Sequence, residues 1–105
     1  MEMLDSLVLE LRRGAIVLAV LSQLDDARYG YSLMKRLGAK GFEIDQGTLY
    51  PLLRRLEKNG LLDSEWNVEG SRPRRYYKIS TNGKKVRSAL KIEWDALTEV
   101  IDNLY

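Results

Sequence analysis

The amino-acid sequence predicts a mainly α-helical fold with one small β-hairpin, and three observations carry that expectation. Apolar residues recur at three- and four-residue steps in four separate segments, the mark of helices that bury one face. Two short runs with a two-residue period lie side by side between Leu62 and Ile79, as in a pair of antiparallel strands. Glycine and proline stand at the joins, where a chain must turn or a helix must stop.

The first helix is expected over residues 4–24, on the stripe Leu4, Leu7, Val8, Leu11, Ala15, Leu18 and Ala19, with Gly14 a place where it could bend or break. Asp25, Asp26 and Ala27 make a turn. A second helix runs from about Tyr29 to Gly38, with Tyr31, Met34 and Leu37 on one side and Gly38 and Gly41 as its stop. A third helix starts between Asp45 and Thr48. Thr48 as N-cap puts Pro51 in the first turn, where a missing N–H costs nothing; a start at Asp45 requires some distortion. Its leucines, Leu49, Leu52, Leu53 and Leu56, fall at i, i+3, i+4 and i+7, and Gly60 ends it. The first strand spans Leu62 to Val68, with Leu62, Ser64, Trp66 and Val68 on one face. A turn at Gly70, Ser71 and Pro73 leads to the return strand Arg75 to Ile79. The last helix covers about Asn82 to Leu104, with Val86, Leu90, Trp94, Leu97, Ile101 and Leu104 in one stripe and Ala89, Ile92, Ala96 and Val100 widening it. So broad an apolar surface would be a large exposed patch on a monomer, which points to a homodimer.

With 105 residues and 45% hydrophobic content, the chain has the size of one domain with a projecting helix. Residues 1–81 form the expected globular unit and 82–105 a C-terminal dimerisation helix. There is no cysteine and no histidine. This removes disulfides, thiol nucleophiles, imidazole bases and nearly every zinc site, so no cofactor or metal is expected. No spacing suggests an acid/base pair, and an enzyme is not expected. The longest apolar run, Ala15 to Leu21, is too short to cross a bilayer; no membrane partner is expected, and a cytoplasmic location is.

The net charge is only +2, but its distribution is uneven. Eight basic and no acidic residues lie from Gly70 to Lys91, and four acidic and no basic ones from Ile92 to Tyr105. Either one surface meets a polyanion or the stretch is a solvated basic face.

Three helices, a hairpin and a closing helix give the order of a winged helix-turn-helix. In such a fold the third helix enters the major groove with its N-terminal residues nearest the bases. Opposite its leucines stand Gly47, Pro51, Arg54 and Lys58, with Tyr50 and Arg55 on the flanks. Its free N–H groups suit a phosphate. The hairpin tip adds Arg72, Arg74 and Arg75, whose planar forks suit phosphate as well.

The chain resembles the PadR family of bacterial transcription regulators through three motifs. The first is Tyr29-Gly30-Tyr31 followed by Leu33. The second is Gly47-Thr48-Leu49-Tyr50-Pro51-Leu52-Leu53, continuing Arg55-Leu56-Glu57 and Gly60-Leu61. The third is Pro73-Arg74-Arg75-Tyr76-Tyr77, then Ser80-Thr81 and Gly83. The likeness covers roughly Arg12 to Tyr105 and fits the shorter subclass with a single C-terminal helix. It implies a homodimeric repressor with one winged helix per subunit, whose final helix packs on the partner's first. Members control phenolic-acid detoxification and multidrug-efflux genes, and some sense aromatic compounds.

The expected DNA-binding residues are therefore Gly47, Thr48, Tyr50, Pro51, Arg54, Lys58, Arg72, Arg74 and Arg75, against a palindromic operator in double-stranded DNA. Arg55 stands between contact and surface pairing. Tyr31 and Tyr77 are expected to pack, and Trp66 to pack within the hairpin. Trp94 is either a dimer-core knob or, with Leu97 and Ile101, a wall of a pocket for a small aromatic effector. A winged-helix adaptor that binds protein instead of DNA is the alternative function.

Overall fold

The computed structural model describes residues 1–105. In chain order the elements are α1 (Glu2–Ser22), β1 (Arg28–Tyr29), α2 (Gly30–Ala39), α3 (Gln46–Lys58), β2 (Leu62–Asn67), β3 (Arg74–Ile79) and α4 (Thr81–Leu104). No helix is long and apolar enough to cross a membrane.

The expected helices are present, and α1 runs through Gly14 without a break. The α3 start differs from the favoured expectation. Asp45, not Thr48, is the N-cap, and Pro51 lies inside the helix. The longer helix is tolerated because Pro51 and Gly47 are both exposed, so the Gly47 carbonyl, deprived of its i+4 donor, is on a side open to solvent. At the other end, Gly60 at φ 80° lets Leu61 N–H reach the Leu56 carbonyl at 2.9 Å and its own N–H reach that of Glu57 at 2.9 Å. This pair of bonds is the Schellman stop that favours glycine. Gly41, at φ 95°, closes α2 in the same way.

The sheet holds one strand more than the sequence predicted. Tyr29, read as the first residue of a helix, is extended and pairs with Tyr76, while Arg28 pairs with Tyr77, giving the order β1-β3-β2. Two residues are too few for any periodicity to register. The β2–β3 register sets Leu62 opposite Ile79, Ser64 opposite Tyr77 and Trp66 opposite Arg75. Val68 lies beyond the strand end, and Arg74 belongs to β3 rather than to the turn.

Twelve side chains make the core, nine of them leucine. Leu49, Leu52, Leu53 and Leu56 all contribute, as their spacing required, and meet Val20, Leu21 and Leu24 of the α1 end, Leu33 and Leu37 of α2, and Leu62, Tyr77 and Ile79 of the sheet. Burying each such side chain stabilises by roughly 1.5–3 kcal/mol. The start of α4 joins this core at a corner. Ser80 accepts from Gly83 N–H at 2.9 Å as N-cap and donates to the Gly60 carbonyl at 2.7 Å, and its own N–H reaches the Leu61 carbonyl at 3.0 Å. Gly83 is buried there, and a Cβ on it would overlap the Leu61 carbonyl oxygen.

Farther on, Arg87 ties α4 to the end of α1. It donates to the Leu21 carbonyl at 3.1 Å and holds the Asp25 carboxylate with both terminal nitrogens at 3.0 Å. This corrects the reading of Gly70 to Lys91 as a single cationic surface. Arg87 and Lys91 line a groove against α1, and the guanidinium of Arg87 is already neutralised, whereas Arg72, Arg74 and Arg75 lie on the hairpin side. The chain turns at Ser80, so sequence neighbours part company in space.

Beyond this anchor both long helices leave the core. The radius of gyration is 15.4 Å, against about 13 Å for a compact chain of this length. The accessible surface is 7692 Å², against about 6,000 Å² for a monomer of this mass. The excess is apolar: Leu4, Leu7, Leu11 of α1 and Ile92, Leu97, Val100, Ile101 and Leu104 of α4 are all exposed.

Two outcomes follow from the α4 corner and anchor. Gly83→Ala is expected to cost about 3 kcal/mol in urea unfolding, the upper part of the range for overpacking, because the obstacle is backbone; an unchanged midpoint would contradict the packing described. The Asp25 carboxyl titrates below its ordinary value near 3.8, chiefly because Arg87 hydrogen-bonds to it. A depressed folded pKa means that the pair's contribution is full above that ordinary value and is lost as pH falls through the folded one. Asp25→Asn should therefore flatten the acid limb of the stability curve; identical acid limbs in both proteins would count against the pair.

Candidate nucleic-acid interface

The outer side of α3 follows from its inner side. With four leucines buried, a 100° step per residue leaves Gly47, Thr48, Pro51, Arg54, Arg55 and Lys58 exposed. Arg54, Arg55 and Lys58 make no ion pair, for the three salt bridges lie elsewhere. A cleft separates this surface from the β2–β3 hairpin. Tyr29, Tyr31, Tyr50, Arg54, Trp66, Arg72, Arg74 and Arg75 are among its walls. Of the expected residues, Tyr50 and Arg54 of α3 and Arg72, Arg74 and Arg75 of the hairpin border one concave surface, whereas Gly47, Thr48, Pro51 and Lys58 lie outside its lining.

Several side chains sit differently from expectation. Tyr50, expected to be free, is half-buried: its ring lies against Gly30, where a Cβ would overlap it. The leucine stripe is wide enough to draw its flank residue partly inward. Tyr31, expected to pack, is 46% exposed with the Lys35 ammonium 5.7 Å from its ring centre. Tyr77 is buried as expected, and burial pushes its hydroxyl pKa up. Trp66, expected to pack in the hairpin, is 62% exposed, because β2 outruns the core at its far end.

Arg75 also departs from its expected role. Its guanidinium is 2.6 Å from Glu57 Oε1 on α3 and donates from Nε to Ser64 at 3.1 Å. It is half-buried and engaged, not free for phosphate. Arg74 lies over the Tyr29 ring at 4.5 Å, a stacking that leaves its N–H edge available, and Tyr29 in turn meets Tyr76 edge-on at 5.4 Å.

Sequence reasoning passed over Asp45 as a site residue. Its carboxylate accepts from the Thr48 hydroxyl at 2.7 Å, and this bond is the main reason its pKa is lowered, with the N–H groups of Gly47 and Thr48 adding to the effect. The α3 N-terminus therefore already carries an anion, whose charge works against a phosphate there, although no helix N–H makes a cap hydrogen bond to the Asp45 side chain. The signal was an Asp three residues before a Thr, the pattern of a helix start.

A leucine-anchored third helix with a cationic outer side, beside a three-stranded sheet with a basic hairpin, defines a winged helix-turn-helix DNA-binding protein. The model of the transcriptional regulator PadR-like family matches residues 17–89. A transcriptional regulator of Mycobacterium tuberculosis is 39% identical over 92 residues, covering 87% of this chain and 83% of the relative. Among solved structures, a PadR family transcriptional regulator from Eggerthella lenta is 47% identical with a TM-score of 0.93, covering 98% of this chain and 92% of its own. A transcriptional regulator from Clostridium thermocellum is 33% identical with a TM-score of 0.84, covering 90% and 96%. The chain belongs to the PadR-like family of transcriptional regulators. Its function is accordingly DNA-binding regulation of transcription, not catalysis, and the protein-only adaptor reading is set aside.

Proposed function

We propose that this chain is a homodimeric repressor that binds a palindromic operator in the cytoplasm through α3 and the hairpin, with residues 82–105 as its dimerisation helix. The observation that carries the reading is the division of the surface. One side presents unpaired Arg54 and Arg72 in the cleft and Lys58 exposed further along α3, and the protruding halves of α1 and α4 present bare apolar stripes. The first suits a polyanion and the second a copy of the same chain. Two winged helices at a fixed spacing match two half-sites one helical turn apart.

In this reading Gly47, Thr48, Tyr50 and Pro51 approach base edges at the start of α3, where the absent side chain of Gly47 permits close contact. Arg54 is suited to the O6 and N7 acceptors of guanine. Lys58, Arg72 and Arg74 hold phosphates, which position the protein without reading sequence. Asp45, beside the reading end, disfavours phosphate and favours a base amino group such as that of cytosine.

Release is proposed to occur when a small aromatic compound enters the groove between α1 and α4. Ala15, Leu18, Ala19, Ile92 and Trp94 give it an apolar wall, and Asp25, Arg87 and Lys91 a polar rim. Trp94 is 40% exposed there, enough to stack on a flat ring. Leu97 and Ile101, expected with it, lie outside the groove lining of one chain but are exposed further along α4; a partner subunit would bring apolar surface to them.

DNA spanning the region upstream of the chain's own gene should bind with an affinity that falls steeply with salt, from a protein that sediments as a dimer. Arg72→Ala should reduce the salt slope by about one, and Arg54→Ala should cost about 1–3 kcal/mol of binding and relax base preference at one position. A flat salt dependence, or a stable monomer at micromolar concentration, would sink the proposal. Flat aromatic compounds should quench Trp94 emission and weaken DNA binding together; quenching with DNA affinity unchanged would remove the release step.

A further inference from the structure

Trp66 is 62% exposed, yet it is not loose. It stands opposite Arg75 in the hairpin register, and the Arg75 guanidinium carbon lies 5.7 Å from its ring centre and 5.5 Å from that of Tyr77. Arg75 is fixed in turn. It meets one oxygen of Glu57 at 2.6 Å and the Ser64 hydroxyl at 3.1 Å, and that hydroxyl donates to the other oxygen of Glu57. Glu57, Ser64 and Arg75 thus close a ring of hydrogen bonds that couples α3 to both strands of the hairpin. Only the fork of an arginine satisfies two acceptors in this way while laying a flat cation against an indole.

The direction of Trp66 follows from its strand. Leu62, Ser64 and Trp66 share one face of β2. Leu62 is in the core, Ser64 bonds to α3, and Trp66 is the next step outward, on the wall of the cleft that Arg54, Tyr50 and Arg72 also line. No residue of α1 or α4 reaches this cleft, so the apolar stripes that a second copy would cover do not extend to the indole. Exposing so large an apolar ring beside arginines has a use if the cleft receives something both flat-sided and anionic.

We infer that Trp66 is the hairpin's non-ionic contact with DNA, and that Glu57, Ser64 and Arg75 are positioning residues that hold it and fix the hairpin against α3. This rests on the reading that the α3–hairpin side meets DNA. The indole packs against the apolar sugar and base edges of a groove without entering the stack, unlike the wedging side chains of minor-groove binders, and its Nε1–H is a donor for a backbone or base oxygen.

The test uses the full-length protein and duplex DNA spanning the region upstream of its own gene. Trp66→Ala should weaken binding on the order of tenfold with an unchanged salt slope, since a neutral side chain releases no counterion. Glu57→Gln and Arg75→Gln should weaken binding with the slope nearly unchanged, whereas removing the charge of a phosphate ligand at Arg75 would give up about one unit of slope. Trp66→Phe at saturating DNA should lose most of the DNA-induced change in tryptophan emission seen in the wild type. Because Trp66 is exposed, Trp66→Ala and Trp66→Phe should keep the wild-type urea midpoint. If Trp66→Phe retains the whole emission change while Arg54→Ala and Arg72→Ala still weaken binding, the DNA side is right and the inference is wrong. If Arg54→Ala, Arg72→Ala and Trp66→Ala all bind as the wild type does, the DNA side itself is wrong and the inference falls with it.

Discussion

The packing of four leucines on one face of α3 is the constraint from which the remainder follows. Leu49, Leu52, Leu53 and Leu56 are buried against α1, α2 and the sheet, and a helix so held has no freedom to rotate about its axis. Its opposite side is thereby dictated, and with it the exposure of Arg54 and Lys58. The same burial fixes where α3 ends, because Leu61 must fold back over the Gly60 turn before Leu62 can enter the core. The hairpin therefore begins at a set distance from α3, and the cleft between them has a defined width.

The elements the sequence made legible were those with a repeating pattern. Leucine spacing located α3, and the two-residue alternation located β2. What stayed hidden depended on partners distant in the chain. β1 exists only because β3 offers Arg28 and Tyr29 a partner, and no pattern of two residues can announce that. The engagement of Arg75 was hidden for a related reason. Arg72, Arg74 and Arg75 look alike in sequence, but only Arg75 falls on the strand face that points toward Glu57, 18 residues away. Tyr50 and Trp66 exchanged their expected environments because distance from the core, not side-chain type, decided both: Tyr50 lies over Gly30, and Trp66 lies past the last core residue of β2.

Charge is partitioned by the same geometry. The turn at Ser80 divides one basic stretch of sequence between two sides of the molecule, leaving Arg72 and Arg74 by the cleft and committing Arg87 to Asp25. The half-buried arginines are all engaged, Arg75 and Arg87 in ion pairs and Arg12 and Arg28 on backbone carbonyls, while the unpaired Arg54, Arg72 and Arg74 are exposed. Burial thus separates structural arginines from those available to a polyanion more reliably than position along the chain does.

The Ser80–Gly83 corner, where α4 rests on the backbone at Leu61, has the geometry of a pivot. The 24 residues of α4 form an arm of about 36 Å, so a tilt of about 5° at the corner sweeps its far end through about 3 Å. The fulcrum is the Gly60–Leu61 turn that terminates α3. With no side chain on Gly83 to cushion the contact, the arm bears directly on the turn that ends α3, and torque on its tip has a short mechanical path to the opposite side of the molecule.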